Sequence, residues 1–237
     1  MGKSMRLLPV ITAVFVTSLL TANIIAVKLF VVAGVVLPAG VVIFPLSYLF
    51  GDVLTEVYGY AQTRRVIWLG FFCNLLMVAA IYVGQVLPPA GFWQGQSAYE
   101  NTLGFAPRLL LASFVAYLIG EFVNSFILAK LKILTKGRWL WTRTISSTAV
   151  GQALDSSVFI TIAFAGSVPD LGSLILAQWI FKTLYEIVAT PLTYLVVNAL
   201  KRAEGIDTFD YDTDFSPVSV AGSGFGRPRA PPSRRHV

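Results

Sequence analysis

The stretch Val66–Leu87, VIWLGFFCNLLMVAAIYVGQVL, runs for 22 residues without one Asp, Glu, Lys or Arg. A helix that crosses a bilayer needs about 20 mostly apolar residues, and this run supplies them. It is flanked by Arg64-Arg65 on one side and Pro88-Pro89 on the other. Reading outward from it gives five further segments of the same kind. The six predicted spans are Leu7–Val27, Val32–Val53, Val66–Leu87, Leu109–Leu128, Ile145–Phe164 and Leu174–Leu195. The fold class predicted is an all-α polytopic membrane protein with six transmembrane helices. The first span is too long for the apolar core of a signal peptide, and Ala26-Val27-Lys28 is no small-residue cleavage site.

Composition agrees. The 237 residues are 56% hydrophobic and 13% charged, against about 25% charged in a typical soluble domain. Eleven of the 30 Asp, Glu, Lys and Arg residues lie in the last 37 positions, so the first 200 hold only 19. That is too few to give a globule of this size a polar surface. Soluble enzymes, nucleic-acid modules and disordered proteins are poor fits. A single cysteine, Cys73, rules out an internal disulfide and a cysteine-based metal site, and the one histidine, His236, stands next to the C-terminus. No metal and no cofactor are expected.

The net charge of +6 reports orientation rather than nucleic acid. Lys3, Arg6, Arg64, Arg65, Lys130, Lys132, Lys136, Arg138, Arg143, Lys201 and Arg202 all fall on alternate connections. The other side has only Lys28 and Arg108, with Glu100 and Asp170. The positive-inside rule then puts both termini in the cytoplasm. The long outer connection, Pro88–Pro107, carries Phe92, Trp93 and Tyr99 and reads as an interfacial loop. Residues 1–202 form the transmembrane domain, and 203–237 a cytoplasmic tail. After Ser216 the tail is rich in Gly, Pro, Ser and Arg and is expected to be disordered.

A charge at the bilayer centre costs at least about 2.5–3.5 kcal/mol, so ionisable residues inside the spans mark candidate sites. They are Asp52, Glu56, Glu121, Asp155, Lys182 and Glu186, joined by the neutral Asn23, Asn74, Asn124 and Gln152. Asp52 and Glu56 stand i and i+4, Glu121 and Asn124 i and i+3, and Lys182 and Glu186 i and i+4, so each pair shares a helix face. Lys182 and Glu186 are placed to pair with one another. Asp52 and Glu56 are placed either to bind a ligand or to pair with Arg64 or Arg65. Glu121 and Asp155 have no helix-local partner. Gly34, Pro38, Gly40, Pro45 and Gly51 give the second span a broken look, and Pro45 would free the carbonyl of Val41. Pro191 interrupts the sixth similarly. Interrupted spans point to substrate sites in transporters.

Phe44–Tyr60, FPLSYLFGDVLTEVYGY, resembles the signature of the queuosine precursor transporters, in the vitamin uptake transporter group of bacteria and archaea. Shorter stretches fit in order: Asn23–Lys28, Glu121–Asn124, Arg143 with Ser146-Ser147 and Gly151–Asp155, Lys182–Glu186 with Pro191, and Lys201–Asp210. The resemblance covers about residues 7–212. It implies six helices similar to the substrate-binding subunits of energy-coupling-factor transporters. It also implies import through the cell (inner) membrane of a 7-deazaguanine, preQ0 or preQ1, for making queuosine in tRNA. Family members work without an ATPase module, and this chain has no P-loop. The partners implied are that small molecule and the lipid bilayer, with no nucleic acid bound directly.

The chemistry is compatible. A 7-deazaguanine offers an N1–H and an amine on one edge, which a carboxylate accepts in a bidentate contact. Its O6 needs a donor such as Asn124, Gln152 or Lys182. Its ring would stack on Tyr48 or Phe44. Glu121 or Asp155 is expected at the guanine edge, with Asn124 assisting. Lys182 and Glu186 complete the site, and Asp52 and Glu56 are further substrate-binding candidates or parts of a cytoplasmic gate. PreQ1 adds an aminomethyl cation that suits a second carboxylate, whereas preQ0 carries a neutral nitrile. Protonation of a buried carboxylate would couple import to the proton gradient. Two alternatives stay open: an importer, or the binding subunit of a larger complex, for another small vitamin or nucleobase, and an intramembrane enzyme. The second lacks a membrane histidine, a zinc ligand set and a nucleophile elbow. The chain is expected not to be an enzyme.

Overall fold

The computed structural model describes residues 5–32, 35–104, 107–166 and 170–218. Helix α1 (Leu8–Ile25) opens with Pro9 in its first turn, where a missing amide costs nothing. A short antiparallel hairpin follows, β1 (Leu29–Val32) against β2 (Val35–Pro38), with Leu29 opposite Pro38 and Val32 opposite Val35. The chain then takes a 3-10 turn (Ala39–Val42), helix α2 (Phe44–Val53) and a π-helical turn (Leu54–Tyr58). The second predicted span is therefore corrected. Residues 32–53 are not one helix but a hairpin strand, a 3-10 turn and a ten-residue helix. The β-branched pairs Val31-Val32 and Val35-Val36 favour extended chain, and Pro38 blocks a helix running in from the hairpin. Pro45 breaks nothing, since it falls in the first turn of α2.

Gly59 ends the π-helical turn with a φ of +84°. A side chain there would also strike Thr208, whose methyl would lie 2.7 Å from a Cβ. Beyond it α3 (Tyr60–Val86) starts six residues before the apolar run. The outer connection contains a short helix, α4 (Gln96–Leu103), that the sequence reading missed. The Tyr99 hydroxyl donates to the Ile81 carbonyl at 3.1 Å and ties α4 back to α3. The remaining helices are α5 (Pro107–Leu134), α6 (Leu140–Phe164) and α7 (Leu171–Glu204). Asp170 caps α7 by accepting the Ser173 amide at 3.0 Å. Pro191 does not interrupt α7, which runs continuously through it.

Among the described residues, four helices are long and apolar enough to cross a membrane by length and composition: α1, α3, α5 from Leu111, and α7. Helix α6 is long enough too, but its buried face is polar, with Arg143, Thr144, Ser147, Thr148, Gln152 and Ser156. Meanwhile Leu76, Val83, Val188 and Leu195 are each more than half exposed. Apolar outside and polar inside is the arrangement lipid selects. The protein is thus a helical membrane protein with one small hairpin.

Contacts fix which helix ends lie together. The Leu7 amide donates to Glu204 at 2.5 Å, joining the start of α1 to the end of α7. Lys132 near the end of α5, Arg143 in the first turn of α6 and Lys201 near the end of α7 all converge on Glu56 in the π-helical turn. The sequence reading ended the fourth span at Leu128 and began the fifth at Ile145. Both helices instead run on, carrying Lys132 and Arg143 into this basic end. After Gly205 the chain doubles back as a strap across the same end. The Thr208 amide bonds to the Val57 carbonyl at 3.2 Å, and Asp210 accepts the Tyr60 amide at 3.0 Å. Arg64 donates to the carbonyls of Asp214 and Ser216, and Trp68 to that of Pro217. The tail expected beyond Ser216 lies, from 219 on, outside the described residues.

Candidate functional site: three polar layers inside the bundle

Helix α2 and the turn after it carry Tyr48, Asp52 and Glu56 at four-residue intervals. Each occupies a different polar layer, because α5, α6 and α7 also offer polar residues about one turn apart. Close packing of α5 on α6 makes this registration tight. A Cβ on Gly120 would lie 2.9 Å from the Asp155 Cβ, and one on Gly151 would lie 2.9 Å from the Asn124 Cβ. The two glycines thus let Glu121 and Asn124 of α5 face Gln152 and Asp155 of α6.

In the layer farthest from the basic end, Lys182 of α7 donates to the Asp155 carboxylate of α6. The two side chains are 14% and 19% exposed. The sequence spacing placed Lys182 with Glu186 on its own helix, but the ammonium reaches across to α6 instead. Tyr48 lies beside the same ammonium, with Glu121 in electrostatic reach of both. The Phe44 and Tyr48 rings lie nearly parallel, 6.1 Å apart and 11° from coplanar.

The middle layer is acidic. Asp52 is fully buried, and its Oδ1 accepts the Asn124 amide at 2.8 Å. Thr148 approaches the Asn124 carbonyl oxygen at 3.5 Å, so this amide bridges α2 to α6. Glu186 lies close enough to Asp52 for each to act on the other's charge. Glu121 and Glu186 are 6% and 3% exposed. Asp52 Oδ2, Glu121 Oε2, Gln152 Oε1 and Glu186 Oε1 have no hydrogen-bond partner among the described residues. Glu121 Oε2 points at Gly51, where a Cβ would stand only 3.3 Å away.

The third layer is an ion cluster. Glu56, 1% exposed, takes Arg143 Nη1 at 2.7 Å, Arg143 Nη2 at 3.3 Å and Lys201 Nζ at 2.6 Å. Lys132 stands 3.5 Å from its carboxylate and also donates to its backbone carbonyl. Asp207 of the strap closes the cluster on Lys132 at 2.6 Å and Lys201 at 2.9 Å. Burial works against ionisation of Asp207, but the two ammonium groups outweigh it and hold its carboxyl below the usual range. Three strap residues along, burial pushes Asp210 the other way, up, despite the Tyr60 amide it accepts. The pairing of Glu56 with Arg64 or Arg65 is corrected. Arg64 serves the strap carbonyls and Arg65 reaches Gln62 at 3.4 Å.

Seven of the eight residues expected at the site thus come together in the first two layers: Tyr48, Asp52, Glu121, Asn124, Asp155, Lys182 and Glu186. Glu56 is held apart, by its cations. Sequence reasoning missed Thr148, and it missed the union of Lys132, Lys201 and Asp207 around Glu56. Their signal was present in part, as basic residues inside or just past apolar helices. Glu56, the anion at their centre, stands 76 positions from Lys132 and 145 from Lys201.

Residues 38–196 match the family described as "Putative vitamin uptake transporter". The "Probable queuosine precursor transporter" of Bacillus subtilis (strain 168) is 31% identical over 187 residues, covering 77% of this chain and 81% of the relative. The "Queuosine precursor transporter" of Escherichia coli (strain K12) is 28% identical over 67% of this chain and 72% of its own length. The "Probable queuosine precursor transporter" of Haemophilus influenzae (strain ATCC 51907 / DSM 11121 / KW20 / Rd) is 27% identical over 69% of each chain. No solved structure matches the chain. The relatives are transporters, not enzymes, and the intramembrane-enzyme alternative falls with them. With the matched region holding every residue of the first two polar layers, and Glu56, Lys132 and Arg143 of the third, the chain belongs to the queuosine precursor transporter family, among the vitamin uptake transporters.

Proposed function

We propose that the chain imports a queuosine precursor, a 7-deazaguanine, across the cell membrane. The cargo follows from the names of its relatives. The observation that carries the binding mode is the set of buried carboxylate oxygens without partners in the middle layer. A buried polar group is costly unless something hydrogen-bonds it. A guanine-like edge, with two donors side by side, is a ligand that can do so.

In this reading Glu121 Oε2 takes the N1–H and amine edge, because Asp155 is already engaged by Lys182. Lys182 and Asn124 are the donors available to O6, and Tyr48 with Phe44 provides the flat surface for the ring. Residues 1–202 make six crossings with both ends in the cytoplasm, in the manner of energy-coupling-factor binding subunits. The short crossing is Ala39–Tyr58. Gathering of basic residues at one end supports that orientation. Residues 203–237 are the cytoplasmic tail, whose first part is the strap. Glu56 then belongs to the cytoplasmic closure rather than to the cargo.

The test is uptake in a bacterial strain that neither makes nor imports these precursors. With nanomolar precursor supplied, wild type should restore queuosine in tRNA. Glu121→Gln at equal membrane level should not. Restoration by both would keep the cargo and remove Glu121 from its role. No restoration by well-inserted wild type, while a known importer works, would point to another vitamin or nucleobase.

A further inference from the structure

Cations are distributed unevenly over the three layers. Lys182 is taken by Asp155, and Arg143, Lys132 and Lys201 are taken by Glu56 and Asp207. Among the described residues, no Lys or Arg forms an ion pair with Asp52 or Glu186. Both are at least nine-tenths buried, and each keeps one carboxylate oxygen without a partner. The nearest polar help, Asn124, satisfies only Asp52 Oδ1. Glu121 adds a further unpartnered oxygen aimed at Gly51, the residue before Asp52. One carboxylate is enough for the guanine edge. Two more with no counter-charge, one turn nearer the basic end, are in excess of what a neutral cargo needs.

We propose that Asp52 and Glu186 form a subsite for a positively charged ammonium group on the cargo, and that this chain therefore prefers the aminomethyl precursor to the nitrile one. The inference rests on the cargo assigned above. The two precursors share the ring and its donor edge and differ only in the substituent. A primary ammonium brings one positive charge and three N–H donors, which match the free oxygens of Asp52 and Glu186. A nitrile brings only an acceptor nitrogen, which meets carboxylate oxygens with nothing to share. Charge-assisted hydrogen bonds of this kind correspond to a discrimination of about 10–100-fold.

The experiment is competition for uptake in the same importer-deficient strain. Labelled aminomethyl precursor is displaced by unlabelled aminomethyl or nitrile compound, and the ratio of half-inhibitory concentrations is read. Wild type should favour the aminomethyl compound by about 10–100-fold. Glu186→Gln and, independently, Asp52→Asn should bring the ratio toward one at equal membrane levels. A wild-type ratio near one, or one favouring the nitrile, overturns the subsite and would leave these carboxylates holding protons. An unchanged ratio in both variants overturns it as well. Entry of neither compound overturns the cargo assignment and this inference together, whereas entry of both with a ratio near one overturns only the inference.

Discussion

Asp52 and Glu56 are one turn apart on the same segment and both are buried, yet they live in opposite surroundings. Glu56 is surrounded by Arg143, Lys201 and Lys132 and has a hydrogen bond for each carboxylate oxygen. Asp52 has one amide and one bare oxygen, with acidic Glu121 and Glu186 for company. Removing a partner from a satisfied buried ion cluster strands the others, whereas removing a bare charge strands nothing. The Glu56 layer ties the helix ends together, and the Asp52 layer is the one proposed to receive the cargo.

The largest effect should come from breaking the satisfied layer. Glu56→Gln leaves two lysines and an arginine short of their anion, and should cost about 3–5 kcal/mol. Thermal unfolding of the detergent-solubilised protein reads this directly, and an unchanged midpoint would show the cluster to be ornamental. The matching change in the middle layer, Glu121→Gln, should leave that midpoint equal or higher while uptake falls about 100-fold, roughly 2.7 kcal/mol of lost charge-assisted contact. If both variants unfold early, the two layers do the same job and the contrast fails.

A smaller effect is expected where the layers are set in register. Gly151→Leu drives a side chain into Asn124 and the Gly120 carbonyl, each 2.9 Å from the new Cβ. Overpacking of this kind costs about 1–3 kcal/mol. Gly166→Leu, which has nothing within 4 Å of its Cβ, is a control for space although its φ of +81° strains any side chain. The expected difference is in uptake, reduced at Gly151 far more than at Gly166.

The smallest effect concerns the strap and pH. The Asp207 carboxyl is held below its usual range, so its contribution is present above the ordinary Asp value of about 3.9 and is lost as pH falls through the lower folded value. Asp210, raised by burial, contributes with the opposite sign. Through Asp207, protection of the adjacent Thr208 amide from hydrogen exchange should weaken on strong acidification. Asp207→Asn should already show the weakened protection at neutral pH and lose that acid step. A step that persists in the variant would assign it to another group.

Much of this was legible in the sequence, for physical reasons. An uncharged run such as Val66–Leu87 has few places to go but lipid, and charges such as Glu121, Asp155 and Glu186 within apolar helices must face inward because lipid refuses them. Asp52, Glu121, Asp155, Lys182 and Glu186 come together on that ground, and the neutral Tyr48 and Asn124 join them through packing. The second span misled because apolarity is blind to backbone shape: Val31–Pro38 is as greasy as a helix but is β-branched and ends in proline. The α4 turn was hidden for the converse reason, being too short and polar to show a period.

The sequence alone determined that the chain enters a membrane, which connections are basic and which residues are too costly to be idle. Each follows from local transfer energies, which need no partner. Tertiary structure decided which charge meets which. Lys182 had a glutamate four residues away and took an aspartate 27 positions back. Glu56 had two nearby arginines and took cations from α5, α6 and α7. Within a low-dielectric bundle the strongest partner is the one that packing brings into contact, and the glycines that let α5 lie against α6 made that choice.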